Sequence, residues 1–184
     1  MNKKELVKYY RSVEKSNAAF KKMNRARKRV QIAKDVIKQI SLKRFSTEMC
    51  GYFEVAKNPN ENEKRLYGKD LQGVLKKTPT CYVCGIGAVF VAAVDRLNKI
   101  QLSVTQDGRN IYVEYLNKLN LFTQLEMTTI EHAFEGWERF SPWRVPKQKF
   151  ETTENTIDRL ARIMEVIISH KGMPFTEKLF FARL

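Results

Sequence analysis

The sequence is short of the side chains that carry most enzymatic chemistry. In 184 residues it has two histidines, His132 and His170, and three cysteines, Cys50, Cys81 and Cys84. Two isolated histidines support no Ser/His/Asp or Cys/His nucleophilic arrangement. Three cysteines are an odd number and too few for a disulfide framework, so a reducing, cytoplasmic setting is expected. Long apolar runs are missing as well. The longest, Ile86 to Val94, has nine residues, and a membrane span needs about 20. No apolar segment follows Met1, so no secretory signal is expected. No internal repeat or low-complexity tract stands out.

Acid is scarce in one place only. Residues 1–44 hold 15 Lys and Arg against Glu5, Glu14 and Asp35, a net of +12. Residues 45–184 hold 19 against 17, a net of +2. The chain's +14 therefore belongs to a basic N-terminal segment on a near-neutral body. Hydrophobic residues make up 43%, enough to build a core. The expected fold is a single, compact, mostly α multi-helix domain with one or two short strands; α+β is the alternative. Residues 1–29 are expected as a basic N-terminal arm or helix, and residues 30–184 as the helical domain.

Periodicity supports the helices one by one. Asn2 to about Ser16 places Leu6, Tyr9, Tyr10 and Val13 on one side. Phe20 to Arg29 either continues a helix or forms a link. From Val30, the residues Val30, Ala33, Ile37 and Ile40, with Val36, recur at helical spacing. Arg27, Gln31, Lys34 and Lys38 form a cationic rail on the other side. Tyr52 to Val55 and Ile100 to Val104 read as short strands, and Asn58 to Lys64 as a polar loop. Asp70 to Lys77 is a weak helix stopped by Pro79. Thr80 is expected to cap a central helix reaching about Asn98, apolar nearly all round. Ile111 to Leu119 is expected to be helical. Thr123-Gln124-Leu125-Glu126 matches a capping box, with Phe122 and Met127 as a hydrophobic staple, for a helix to about Trp137. The last long helix carries the stripe Ile157, Leu160, Ala161, Met164, Ile167 and Ile168, and ends at His170, Lys171, Gly172 and Pro174.

Three constellations bear on function. Cys81 and Cys84 have C-x-x-C spacing, which at a helix start favours thiolate redox chemistry or, with two more ligands, zinc. The competing reading makes Cys81, Cys84, Gly85, Ala88 and Ala92 small residues that let another helix approach. Glu131, Glu135 and Glu138, beside His132, could do acid–base work, but an acidic outer helix face has the same pattern. The dense block Lys21, Lys22, Arg25, Arg27, Lys28, Arg29, Lys34 and Lys38 suits phosphate contacts, which give affinity without sequence readout. A solvated, solubilising surface is its competing reading. Trp137, Phe140 and Trp143, interleaved with Arg144, offer base stacking or partner contacts, or pin a loop to the core.

Taken in order, Val30 to Ile37, Cys81 to Phe90, Phe122 to Leu125, Ile130 to Gly136, Arg159 to Met164 and Ile167-Ile168 resemble an uncharacterised family of small bacterial and phage proteins over about residues 30–170. The resemblance implies a shared helical core and suits a phage or mobile-element accessory role. It brings no activity, ligand or catalytic residue, and the basic residues before Val30 lie outside it.

The expected function is non-enzymatic, intracellular binding of nucleic acid through the basic N-terminal segment, with no cofactor, no metal and no membrane. Alternatives are a protein–protein inhibitor or adaptor of a host system using the same cations on an acidic partner, a sponge for an anionic nucleotide, and a metal or redox protein centred on Cys81 and Cys84. Homo-oligomerisation stays open.

Overall fold

The computed structural model describes residues 3–47, 53–55, 73, 76, 80–97, 120–135 and 156–184. These are mostly helical. In chain order they form α1 (Lys3–Lys22), α2 (Arg25–Ser41), β1 (Phe45–Thr47), β2 (Phe53–Val55), β3 (Cys81–Val83), α3 (Gly85–Arg96), α4 (Gln124–Glu135), α5 (Thr156–Ser169) and α6 (Glu177–Phe181).

α3 is the centre. Every residue from Gly85 to Arg96 is buried. α1, α2 and α4 all pack on it, and α5 packs on α2 and α4. The apolar run read from the sequence therefore acts as the core helix. Gly85 makes one of these approaches possible: a Cβ there would meet Phe134 Cβ at 2.9 Å and Ile130 Cγ2 at 3.3 Å. This fits the small-residue reading of the Cys81–Ala92 face.

α1 and α2 meet at Met23-Asn24, inside the stretch whose local pattern left helix and link open. Asn24 is the N-cap of α2, and its side chain accepts from Arg27 N at 2.9 Å. The helix opened by Asn24 runs unbroken across residues 29 and 30. α1 is longer than its expected end at Ser16, and its last apolar residue, Phe20, is fully buried in the main core. Leu6, Tyr9, Tyr10 and Val13 form a second apolar cluster, with Leu42 against it. The basic segment is thus packed on the body rather than projecting from it. Its removal up to residue 29 would take core residues with it.

The strands form a small sheet of order β1-β3-β2. β1 pairs with β3 in parallel, Phe45 opposite Cys81, and β2 pairs with β3 antiparallel, Phe53 opposite Val83. β2 matches its expected position. β3 corrects the expectation that Thr80 caps a helix containing Cys81. Cys81-Tyr82-Val83 is extended because its backbone joins two ladders, and Cys84 is the cap, its Sγ accepting from Gly87 N at 3.4 Å.

The capping box at the start of α4 forms as read. Glu126 N donates to Thr123 Oγ1 at 3.2 Å, and Thr123 N donates to Glu126 Oε2 at 2.7 Å. Phe122 and Met127 are both buried beside it. Gly172 ends the α5 region in the left-handed conformation, φ +66, where a Cβ would lie 2.1 Å from Ala26 O. Of the Asp70–Lys77 helix, Gly73 and Lys76 are described, both in helical conformation. The expected polar loop at 58–64, the strand at 100–104 and the helix at 111–119 lie outside the described residues.

Candidate nucleic-acid interface

The predicted cationic block divides by location. Lys21, Lys22, Arg25, Arg27, Lys34 and Lys38 are exposed, and Lys28 is half-buried. Arg27, Lys34 and Lys38 stand on the side of α2 away from Ile32, Ala33 and Val36, as the helical spacing requires. Arg25 is partly engaged: its Nε donates to Leu121 O at 3.0 Å, and an Nη lies 4.0 Å from Glu126.

Arg29 does not belong to the surface. It is 1% exposed. Its Nη1 and Nη2 donate to the two Glu126 oxygens at 2.8 and 2.6 Å, and Nη1 also reaches Gly172 O at 3.3 Å. Its Nε donates to Leu121 O, and its guanidinium lies 5.0 Å from the centre of the Phe122 ring. Burial lowers its pKa, while the Glu126 carboxylate opposes that shift. A guanidinium with its donors turned inward cannot meet a phosphate, so the interface excludes it.

Two further buried pairs hold the basic helices in place. Arg96 at the end of α3 donates from Nε and Nη2 to Asp35 of α2 at 2.6 and 2.8 Å, and from Nη1 to Ser16 Oγ of α1 at 2.6 Å. Arg44 donates to Asp95 Oδ2 at 2.9 Å, to Tyr10 Oη at 2.5 Å and to Gln39 Oε1. The Tyr9 and Tyr10 hydroxyls reach the Asp95 carboxylate at 3.4 and 3.3 Å. Burial would lower the Arg44 pKa, but Asp95 and Tyr10 carry it above the ordinary arginine value. Burial raises the Tyr10 hydroxyl strongly, with Asp95 adding to the shift. One arginine thus joins Ser16 to Asp35, and another joins Tyr10 to Gln39. Moving back along α1 therefore moves forward along α2, so the two helices run antiparallel.

These pairings change what the outside of the segment presents. Between residues 15 and 44 the one carboxylate is Asp35, and it is buried against Arg96. Glu14, on α1, is bonded to Lys76 Nζ at 2.7 Å. Local sequence reasoning also passed over a second line of cations. Lys4, Lys8, Arg11, Lys15 and Lys22 recur at four, three, four and seven residues, and all five are exposed. Leu6, Tyr9, Val13 and Phe20 occupy the buried side opposite them. The helical spacing was the signal that could have found this line.

The cysteine pair lies in a different setting from its expectation. Cys81 is in a strand and Cys84 caps α3. Both are buried. Burial pushes the Cys81 thiol up to about 11, with Arg44 opposing. It pushes Cys84 up to about 12, against the Gly87 backbone bond. Both shifts disfavour the thiolate that redox exchange and metal binding need. Among the described residues, no group of three or more His, Cys, Asp and Glu is placed to hold a metal ion. His132 Nδ1 lies 3.1 Å from Glu177 Oε1 in a half-exposed pair between α4 and α6. Trp137, Phe140, Trp143, Arg144 and Glu138 lie outside the described residues. No described helix is long and apolar enough to cross a membrane. No family model, curated protein or solved structure gives a significant match to the chain, so the resemblance to small bacterial and phage proteins gains no support there.

Proposed function

We propose that this is a non-enzymatic binding protein that engages the phosphate backbone of nucleic acid through Lys21, Lys22, Arg27, Lys34 and Lys38, with Arg25 and Lys28 at the margin. One observation carries the reading. From residue 15 to residue 44 every exposed charge is positive, because the one acid, Asp35, is withdrawn into an ion pair with Arg96. A surface evolved for solubility alone mixes both signs; a surface of one sign raises the local concentration of a polyanion. The helices that carry it are tied to the core by buried arginine pairs, so the cations are held in a fixed array. An accessory role in a phage or mobile element, suggested by the resemblance, would suit such a binder.

Fluorescence anisotropy with labelled DNA and RNA across a salt series tests the reading. Contact with about five phosphates gives a log K against log salt slope near −4 to −5. The triple variant Arg27→Gln, Lys34→Gln, Lys38→Gln should bind more weakly and with a flatter slope. No binding by the intact protein at low salt rejects the proposal. A complex recovered from nuclease-treated lysate with undiminished yield favours an acidic protein partner instead.

A further inference from the structure

We infer that the preferred ligand is a duplex rather than a single strand, and that the outer stripe of α1 is part of its binding surface. This rests on the nucleic-acid reading above and names the substrate class of that surface.

Two observations lead there. The first is the stripe itself. Lys4, Lys8, Arg11, Lys15 and Lys22 lie along one side of a helix that is continuous from Lys3 to Lys22. From Lys4 to Lys22 this side is about 27 Å long at 1.5 Å per residue. That length spans about eight base pairs of duplex. Glu14, beside the stripe, is held by Lys76. Glu5, next to Lys4 in the first turn, is the one other acid of the helix and is exposed. Ser16 is fixed by Arg96, and Tyr10 by Arg44, so the stripe is pinned to the body at two points along its inner side.

The second observation concerns the aromatics. The first 44 residues contain Tyr9, Tyr10 and Phe20 and no other aromatic. All three are buried: Tyr9 and Tyr10 face Asp95, and Phe20 lies beneath Arg96. Proteins that hold single strands combine a basic groove with exposed aromatics on which bases stack. The described faces of α1 and α2 offer charge and no stacking platform. On these two described faces, strands compete by charge density. A duplex carries one charge per roughly 1.7 Å of axis and keeps it on a stiff rod. A single strand carries about half that density and must also be straightened to follow the stripe. Contacts of these cations to phosphates carry no sequence information, so binding through them is expected to be indifferent to sequence.

The test uses the full chain and labelled 20-mers at matched ionic strength: duplex DNA, duplex RNA, and each single strand, in two unrelated sequences. Duplex should bind at least about tenfold more tightly than single strand, with less than a threefold difference between the sequences. The triple variant Lys8→Gln, Arg11→Gln, Lys15→Gln should retain the wild-type helical circular dichroism and melting temperature. With the stripe engaged, the salt slope on duplex DNA should be steeper than the five-contact value, and in this variant it should fall by about 2 to 3, near 0.9 for each lost contact. Single strands bound as tightly as duplex overturn the inference while leaving the nucleic-acid reading intact. So does an unchanged slope in a folded triple variant. A polyglutamate competitor that displaces duplex at equal charge concentration also overturns it, because it marks a surface selective for negative charge alone. The two duplex arms decide between DNA and RNA.

Discussion

Arg29 and Glu126 are 97 residues apart and form a two-pronged ion pair in the core, at 2.8 and 2.6 Å. Glu126 is at the same time the acid of the α4 capping box, and it accepts from Phe175 N at 3.2 Å. One carboxylate therefore ties α2, the start of α4 and the segment after α5. Removing one partner of such a pair leaves an uncompensated buried charge, which costs about 3–5 kcal/mol. Glu126→Ala should fall in that range and also lose the cap. Arg29→Met should cost the same or less, since Glu126 keeps its backbone donors. Urea unfolding followed by circular dichroism measures both. A loss below about 1 kcal/mol for Glu126→Ala would mean the pair is not desolvated.

Arg44 and Asp95 permit a sharper test, because both side chains are fully buried. Asp95→Asn and Arg44→Met should each destabilise by about 3 kcal/mol or more. With Asp95→Leu as the second single, the double variant Arg44→Met, Asp95→Leu should be milder than the sum of Arg44→Met and Asp95→Leu by about 2 kcal/mol or more, since no lone charge remains. Additive losses in that cycle would show that the two residues act separately.

The thiols predict an alkaline loss of stability. Cys81 and Cys84 have folded pKa values of about 11 and about 12, above the ordinary value of 9.0. Between about pH 9 and 12 the folded state therefore binds more protons than the unfolded state, and stability falls as pH rises. Below pH 9 this contribution is fully present. Each thiol accounts for about 2 kcal/mol or more across the window. Tyr9 and Tyr10 shift in the same direction and steepen the loss. Urea titrations at pH 8, 9, 10 and 11 should show a steeper decline for wild type than for Cys84→Ala. Alkylation at pH 8 should be slow in the native protein and fast in urea.

The glycines separate strain from crowding. Gly172→Ala places a Cβ 2.1 Å from a backbone oxygen at positive φ. Neither clash nor strain can relax cheaply, so a loss of about 2 kcal/mol or more is expected. Gly85→Ala meets Phe134 Cβ at 2.9 Å. α3 and α4 can separate slightly, so a loss of about 1–3 kcal/mol is expected. Thermal melts rank the two, and a neutral Gly172→Ala would contradict the backbone geometry.

Much of this was legible in the chain. The central helix, the rail on α2, the capping box at Thr123 to Glu126 and the stop at Gly172 all depend on neighbours within a turn or two, so local spacing carries them. β1 and β3 are three residues each and exist because Phe45 to Thr47 and Cys81 to Val83 meet across a long separation; nothing in either tripeptide requires it. The burial of Arg29, Arg44, Asp95 and Arg96 was equally illegible. A charged residue in a basic or helical stretch reads as surface until its partner, 97, 51 or 61 residues distant, is known.

The sequence by itself determined that the protein is mostly helical, that its charge excess lies in its first 44 residues, and where the helix after Thr123 starts and the one before Gly172 stops. Periodicity and capping are local physics, and net charge is a count. Only the tertiary structure decided which of those charges face solvent. Burying an arginine is tolerable when a carboxylate and enough acceptors surround it, and that shell is assembled from distant parts of the chain. Arg29, in the middle of the basic block, passes by that rule into the core. Lys4, Lys8, Arg11 and Lys15 remain outside on the stripe, because Tyr9, Tyr10 and Val13 take the inner side of the same helix.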